Sequence, residues 1–311
     1  MSTGVPTSGT AGDGTTRADA AFGIDHPLIA VEDLESVRER LCSIGFAMTP
    51  PGLHPWGTGT SLAVFAGCLL EIVSVRDARR LDDKAVPGFG FGRHVQRYLT
   101  AREGVALTAL HSLDPEREAA RARAAGFEVS GRIEFGRDVV LPDGTPDRTR
   151  TTLVPLPDRE HERLSFFLCC QHRRDLVEVP AWMAHANAVV GIGGITVLAD
   201  AASHERIARR LGGLFGRPES AERGFDLRTA NGTISVRTGA AIESEFGPLP
   251  ESLGDERSPS VVAMTFRSAD MRRTAEALAA SGEAVRERDG ASVLTEAHRF
   301  GNTFLRFRAD A

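Results

Sequence analysis

Four times along this chain an apolar, strand-like run leads into an acidic residue, then an amphipathic helical stretch, then a glycine. The first round runs from Ile24 through Asp33 and a helix over residues 34–44 to Gly45. The second passes through Asp114 and Pro115 to Gly126, the third through Asp200 to Gly212-Gly213, and the fourth through Asp270 to Gly282. Acid and glycine stand twelve residues apart in the first, second and fourth rounds, and close to that in the third. An acid suits the start of a helix, a proline its first turn, and a glycine the left-handed residue just past its end. Each round closes on further strands, among them residues 68–75, 164–170, 233–236 and 303–307. The unit is therefore βαβββ. A period of some tens of residues is too long for a solenoid, so the pattern predicts a duplicated module and an α+β fold.

Composition narrows the function. The 311 residues have room for two domains and a sizeable apolar core. A net charge of −5 with mixed signs argues against a nucleic-acid groove. No long apolar run and no leader-like start point to a membrane, so the expectation is a cytoplasmic protein with a small-molecule substrate, as monomer or homodimer. Lys84 is the single lysine among 37 basic residues, which argues against Schiff-base chemistry. Cys42, Cys68, Cys169 and Cys170 lack metal-type spacing and read as reduced core thiols. Residues 1–21, rich in Gly, Ser, Thr and Ala, read as a disordered tail. Residues 240–260, with three prolines, read as a loop-rich connector, and residues 91–100 as a short helix.

Particular residues carry a family resemblance: Ile24-Asp25-His26, Glu32-Asp33-Leu34, Gly45-Phe46, His54-Pro55-Trp56-Gly57-Thr58, Leu70-Glu71-Ile72, residues 166–172, and Trp182 with His185 and Asn187. With these the chain resembles the vicinal oxygen chelate superfamily, and within it the two-domain glyoxalase-like proteins. The resemblance implies two domains, residues 22–182 and 183–311, each a pair of modules cupped around a hollow. It also implies a divalent metal (Fe, Mn, Ni or Zn) held by residues of the first and last strands.

On those strands His26 and Glu71 are one imidazole and one carboxylate. A carboxylate between Leu70 and Ile72 is costly to bury unless it is paired or ligates a cation. At the end of the second module Gln171 and His172 are adjacent and must point to opposite faces, and imidazole is the better donor. The expected ligands are thus His26, Glu71 and His172, with His54 or Gln171 as acid/base or orienting group. Trp56, Phe166 and His185 are expected to contact substrate. His111 is expected at the rim, while His94, His161 and His204 read as surface residues. Modules three and four offer no match for the His26/Glu71 pair. The implied function is a metal-dependent isomerase, lyase or dioxygenase acting on a small oxygen-rich or aromatic metabolite. Its alternative is a metal-free binding or resistance protein of the same fold.

Overall fold

The computed structural model describes residues 21–310. Of the tail expected over residues 1–21, Ala21 falls inside this range and packs against the core; the rest lies outside the described residues. The first half holds β1 (Ile24–Ala30), α1 (Leu34–Ser43), β2 (Gly52–Leu53), β3 (Thr58–Phe65), β4 (Cys68–Val75), α2 (Phe91–Ala101), β5 (Gly104–His111) and α3 (Pro115–Ala124). It continues with β6 (Ile133–Phe135), β7 (Asp138–Val140), β8 (Pro146–Arg148), β9 (Thr151–Leu156) and β10 (Phe166–Gln171). The second half holds β11 (Val189–Leu198), α4 (Ala201–Phe215), β12 (Glu219–Ala221), β13 (Gly224–Arg228), β14 (Thr233–Arg237) and α5 (Gly239–Phe246). After these come β15 (Ser260–Ser268), α6 (Met271–Ser281), β16 (Val285–Arg288), β17 (Ala291–Leu294) and β18 (Phe304–Ala309).

The strands form two curled sheets of eight, in the orders β2-β3-β4-β1-β5-β10-β9-β6 and β12-β13-β14-β11-β15-β18-β17-β16, with β7 and β8 as a separate hairpin. In each sheet the first strands of two modules pair antiparallel at the centre, and each lies parallel to the last strand of its own module. This is the α+β arrangement of four βαβββ modules. No described helix is long and apolar enough to cross a membrane.

The four acids are helix caps. Asp33 accepts a hydrogen bond from the Ser36 amide, Asp114 from Arg117, Asp200 from Ser203, and Asp270 from Arg272 and Arg273. Such a cap contributes about 1 kcal/mol. Gly45, Gly126 and Gly282 follow their helices with positive φ. The third round departs from the expected pattern: α4 runs through Gly212-Gly213 and ends at Gly216. A Cβ on Gly213 would lie 2.9 Å from the Ala125 carbonyl oxygen, so this glycine lets α4 approach the end of α3.

One face of each sheet packs with α1, α3, α4 and α6 into a single apolar core drawn from both halves, including Ile29, Ile72, Leu41, Ile195, Leu211 and Phe307. The opposite faces form two cups, each partly filled by a helix. Phe91, Val95 and Tyr98 of α2 enter the first, and Ile242 and Phe246 of α5 enter the second. The connector expected to be loop-rich therefore contains a helix, because burying Ile242 and Phe246 offsets its ordering. Cys68, Cys169 and Cys170 are buried thiols, whereas Cys42 is exposed on the solvent side of α1.

Candidate functional site

Alternation along β4 sends Leu70 and Ile72 into the shared core and Glu71 into the first cup. His26 arrives from the neighbouring β1, and His54 from the turn between β2 and β3. The three line one largely enclosed cavity of about 40 Å³. His26 Nε2 lies 3.2 Å from Glu71 Oε2, and His54 Nε2 lies 3.6 Å from Glu71 Oε1. The Thr60 hydroxyl donates to Oε1 at 2.6 Å. All four side chains are buried.

Behind His26 sits Asp25, fully buried. Adjacent strand residues ordinarily point apart, but β1 shifts register against β5 between Ile24 and His26, and again between Leu28 and Ile29. Pro27, which has no amide to donate, sits between the two shifts. His26 Nδ1 donates to Asp25 Oδ1 at 2.7 Å, and His111 Nδ1 donates to Oδ2 at 3.0 Å. Arg174 approaches the same Oδ2 at 3.2 Å. An imidazole that donates from Nδ1 to a carboxylate presents Nε2 in a fixed orientation, the usual support for a metal-ligating histidine. His111 is thus not a rim residue but a buried partner of Asp25.

Electrostatics follow from this packing. Burial disfavours a charged His26, but the bonds to Asp25 and Glu71 outweigh it and hold the imidazole up at about 9. Burial likewise opposes ionisation of Glu71, yet the bond from His26, the neighbouring charges and Thr60 bring it down to about 2. Asp25 is held well below the usual carboxylate range by His111, His26 and Arg174 against the cost of its burial. His54 goes the other way: burial, helped by Arg137 and His26, pushes it down to about 3, so the ring is neutral.

The cavity wall is aromatic. Trp56 stacks between His54 and Phe91, at centroid distances of 4.8 and 5.0 Å, and Phe135 meets Trp56 edge-on. Phe167 meets His26 edge-on at 5.6 Å. The neighbouring Phe166, expected to touch substrate, points into the shared core instead, because the parity of β10 gives the cup to Phe167. In register the same parity gives the cup Gln171 and leaves His172 on the other side. There His172 is exposed and bonds the Thr152 hydroxyl at 2.8 Å. The expected ligand His172 is thus outside the cavity, while Gln171 stands in its wall and accepts from Thr151. His185 is also elsewhere. It sits buried between the halves, accepting from the Ala47 amide and donating to the Val64 carbonyl. His94, read as a surface residue, is buried and donates to the Ala106 carbonyl.

Asp25, Thr60 and Arg137 escaped the sequence reading. Asp25 had a signal, a second ionisable residue beside His26 in an apolar strand. Arg137 had none, since it comes from the turn between β6 and β7, where its backbone exchanges hydrogen bonds with Thr149. Its guanidinium lines the cavity, and among the described residues no carboxylate lies within ion-pair distance of it.

The His26–Glu71 pair suits a divalent cation, whereas the donor atoms of His26, Glu71 and His54 do not all lie within 4.8 Å of one another, so His54 would join such an ion only after its ring shifts. Ligand atoms about 2.0–2.2 Å from an ion stand roughly 3 Å apart when at right angles. The 3.2 Å between His26 Nε2 and Glu71 Oε2 matches that spacing. His54 is neutral and addresses the other carboxylate oxygen, whereas His26, held up at about 9, would give up its Nε2 proton to ligate an ion. The described grouping whose donor atoms all lie within 4.8 Å of one another is Asp25, His26 and Cys169. Its chemistry is poorer, because Asp25 is occupied by two imidazoles and Arg174, and burial pushes the Cys169 thiol up, keeping it protonated. Module two adds no donor at the matching height, since Leu28 faces Leu107 across the sheet centre and Phe167 occupies the closing strand.

No curated protein matches the chain in sequence. Among solved structures it is similar to a hypothetical protein from Staphylococcus aureus, with a TM-score of 0.65, 13% identity, and 92% of this chain and 99% of that one covered. It is also similar to a mutant of 4-hydroxymandelate synthase from Streptomyces coelicolor, with a TM-score of 0.58, 12% identity and 94% of each chain covered. A third similar structure is a xylose isomerase-like TIM barrel/4-hydroxyphenylpyruvate dioxygenase fusion protein (TM-score 0.54, 12% identity), of which the match covers 48%, against 93% of this chain. At these identities the likeness establishes the fold alone. The glyoxalase-like domain family matches residues 24–215, more than half of the sequence, and with the two cupped sheets this establishes that the chain belongs to that family, within the vicinal oxygen chelate superfamily.

Proposed function

We propose that the protein is a divalent-metal-dependent enzyme of the dioxygenase type, acting on a small aromatic metabolite that carries an acidic group. One observation carries the reading. His26, with its Nδ1 proton committed to Asp25, turns Nε2 toward Glu71 Oε2 at 3.2 Å inside a largely enclosed cavity. Two acceptors facing each other at that distance need a cation or a proton between them. Two imidazoles and one carboxylate are the donor set associated with non-haem iron oxygenases. His26 and Glu71 would hold the ion, with His54 joining on a shift of its ring, and Asp25 would fix the first of them. When bound, the ion supplies Lewis acidity to substrate oxygens and, as iron, access to dioxygen chemistry.

The protein's own side chains do the rest. Trp56, Phe91, Phe135 and Phe167 wall the cavity with apolar rings that exclude water and favour an aromatic ligand, which would have to part the stacked rings to enter. Arg137, lacking a carboxylate partner, offers a fork of donors to a substrate carboxylate or enolate. Gln171 orients a polar substituent at the mouth. The names of two fold neighbours, 4-hydroxymandelate synthase and 4-hydroxyphenylpyruvate dioxygenase, agree with this reading.

A second reading has its own support. If His26 carries the proton, Asp25, His26 and Glu71 form a closed hydrogen-bonded chain without any metal, and the cavity serves a binding or resistance protein. Elemental analysis of protein purified without chelator separates the two. The enzyme reading expects about one transition-metal ion per chain, lost in Glu71→Gln and retained in His172→Ala. A wild-type protein that takes up no Fe, Mn, Ni or Zn on reconstitution overturns it in favour of the binder.

A further inference from the structure

The second cup has the same architecture as the first and different chemistry. Ser235 on β14 pairs with Thr196 on β11, as Glu71 on β4 pairs with Leu28 on β1. The carboxylate position of the first cup is therefore a serine here. In place of imidazoles, the wall carries guanidinium groups: Arg237 from β14, Arg267 from β15, and Arg306 and Arg308 from β18. These residues alternate with core side chains such as Val236, Phe266, Leu305 and Phe307, so strand parity sends all four to one side.

We propose that this second cup is a binding site for a small multivalent oxyanion, a phosphate ester or a polycarboxylate, held by Arg306 and Arg308 with Arg267 and Arg237 at its sides.

The balance of partners supports a ligand. Arg237 is matched by Asp226 at 2.7 Å and Arg267 by Asp310 at 2.9 Å. Glu245 alone serves both Arg306, in direct contact, and Arg308, at 4.0 Å. Among the described residues, one of these two guanidinium groups thus lacks a counter-charge of its own, and it is Arg308 toward the solvent side. Arg306 is buried, and two of its nitrogens share the single Thr265 hydroxyl, at 2.9 and 2.7 Å. Shared acceptors leave donor capacity for anion oxygens. The Nε of Arg267 is buried with no partner. A Cβ on Gly191 would fall 2.6 Å from Arg267 Nη2, and one on Gly193 would fall 3.0 Å from its Cγ, so these glycines let Arg267 lie flat along the floor. Burial and the nearby Arg308 and Arg237 bring Arg306 down to about 9, a penalty that a bound anion would relieve.

Calorimetric titration of the full chain with pyrophosphate and with citrate, at low and at physiological salt, tests the assignment. The expected result is saturable binding of one anion per chain that weakens as salt rises. Arg308→Ala, a half-exposed position, should lower the affinity about tenfold or more, the loss of one charge-assisted contact. Glu71→Gln should leave the affinity unchanged, which separates this site from the proposed function of the first cup. Tighter pyrophosphate assigns a phosphate ester, and tighter citrate a polycarboxylate. Absence of binding by both probes, an affinity indifferent to Arg308→Ala, or one abolished by Glu71→Gln overturns the proposal. Should Arg308→Ala unfold, Arg267→Gln replaces it, with the same outcomes.

Discussion

His26 Nε2 and Glu71 Oε2 lie 3.2 Å apart on neighbouring parallel strands, with His26 Nδ1 bonded to Asp25 and Glu71 Oε1 accepting from Thr60. Glu71→Gln keeps the shape and removes the charge. Metal content should fall from about one ion per chain to a small fraction of that. In chelated protein, urea unfolding should register a loss of about 1–3 kcal/mol from the broken buried contact.

Asp25→Asn should act at a distance from the cavity. Asp25 is the common acceptor for His26, His111 and Arg174. Losing its charge leaves Arg174 with Glu178 as its remaining partner and frees the His26 ring to turn. Metal affinity should drop about 10–100-fold. Stability should drop by about 3–5 kcal/mol, as for other buried ion pairs broken on one side. Metal titration and denaturant unfolding read the two effects separately.

His172 and Gln171 make a paired test of strand parity. His172→Ala should leave metal content intact and change stability by about 0.5 kcal/mol or less, as expected of an exposed site. Gln171→Ala should leave metal content intact as well but weaken the binding of cavity ligands. Loss of metal from His172→Ala would contradict the placement of this strand.

His185 predicts a pH dependence. Its Nδ1 accepts from Ala47 and its Nε2 donates to Val64, so the neutral ring is required, and burial holds its pKa below the ordinary value. A histidine depressed in the folded state contributes stability that is complete above the unfolded pKa of about 6.5 and is lost as the pH falls through the folded value. His54 and His94, also depressed by burial, act with the same sign. His26, held up at about 9, acts with the opposite sign, but most of its change falls above pH 6.5, so unfolding free energy should decline from pH 7 toward pH 5. His185→Gln should flatten that decline by up to one proton's worth of slope.

The module rhythm was legible because it rests on local chemistry. Asp33, Asp114, Asp200 and Asp270 cap helices through bonds to amides two or three residues away, and such bonds depend on nothing distant. His26 and Glu71 were legible for a related reason, since ionisable groups in apolar strands stand out. What failed depends on long-range packing. Gly213 looked like a helix stop, but it serves the contact of α4 with Ala125. Phe166 and His172 were misplaced because a strand's parity is set by its neighbours' register, which Phe166↔Thr108 and its successors settle in the fold. Arg137 reaches the cavity from a turn whose position follows from the Thr149 contacts. Asp25 turns toward His26 through a register shift that no local pattern announces.

The apolar core common to both halves has a practical consequence for anyone dissecting the molecule. His185, Asn187 and α4 belong to the later half by sequence, yet they cover Phe65, Ile44 and Phe127 of the earlier one. A fragment stopped near residue 182 would bare those surfaces to water and strand the Ala47 amide and the Val64 carbonyl. Expressed alone, it should precipitate or dimerise through the raw patch, so work on either hollow calls for the whole polypeptide.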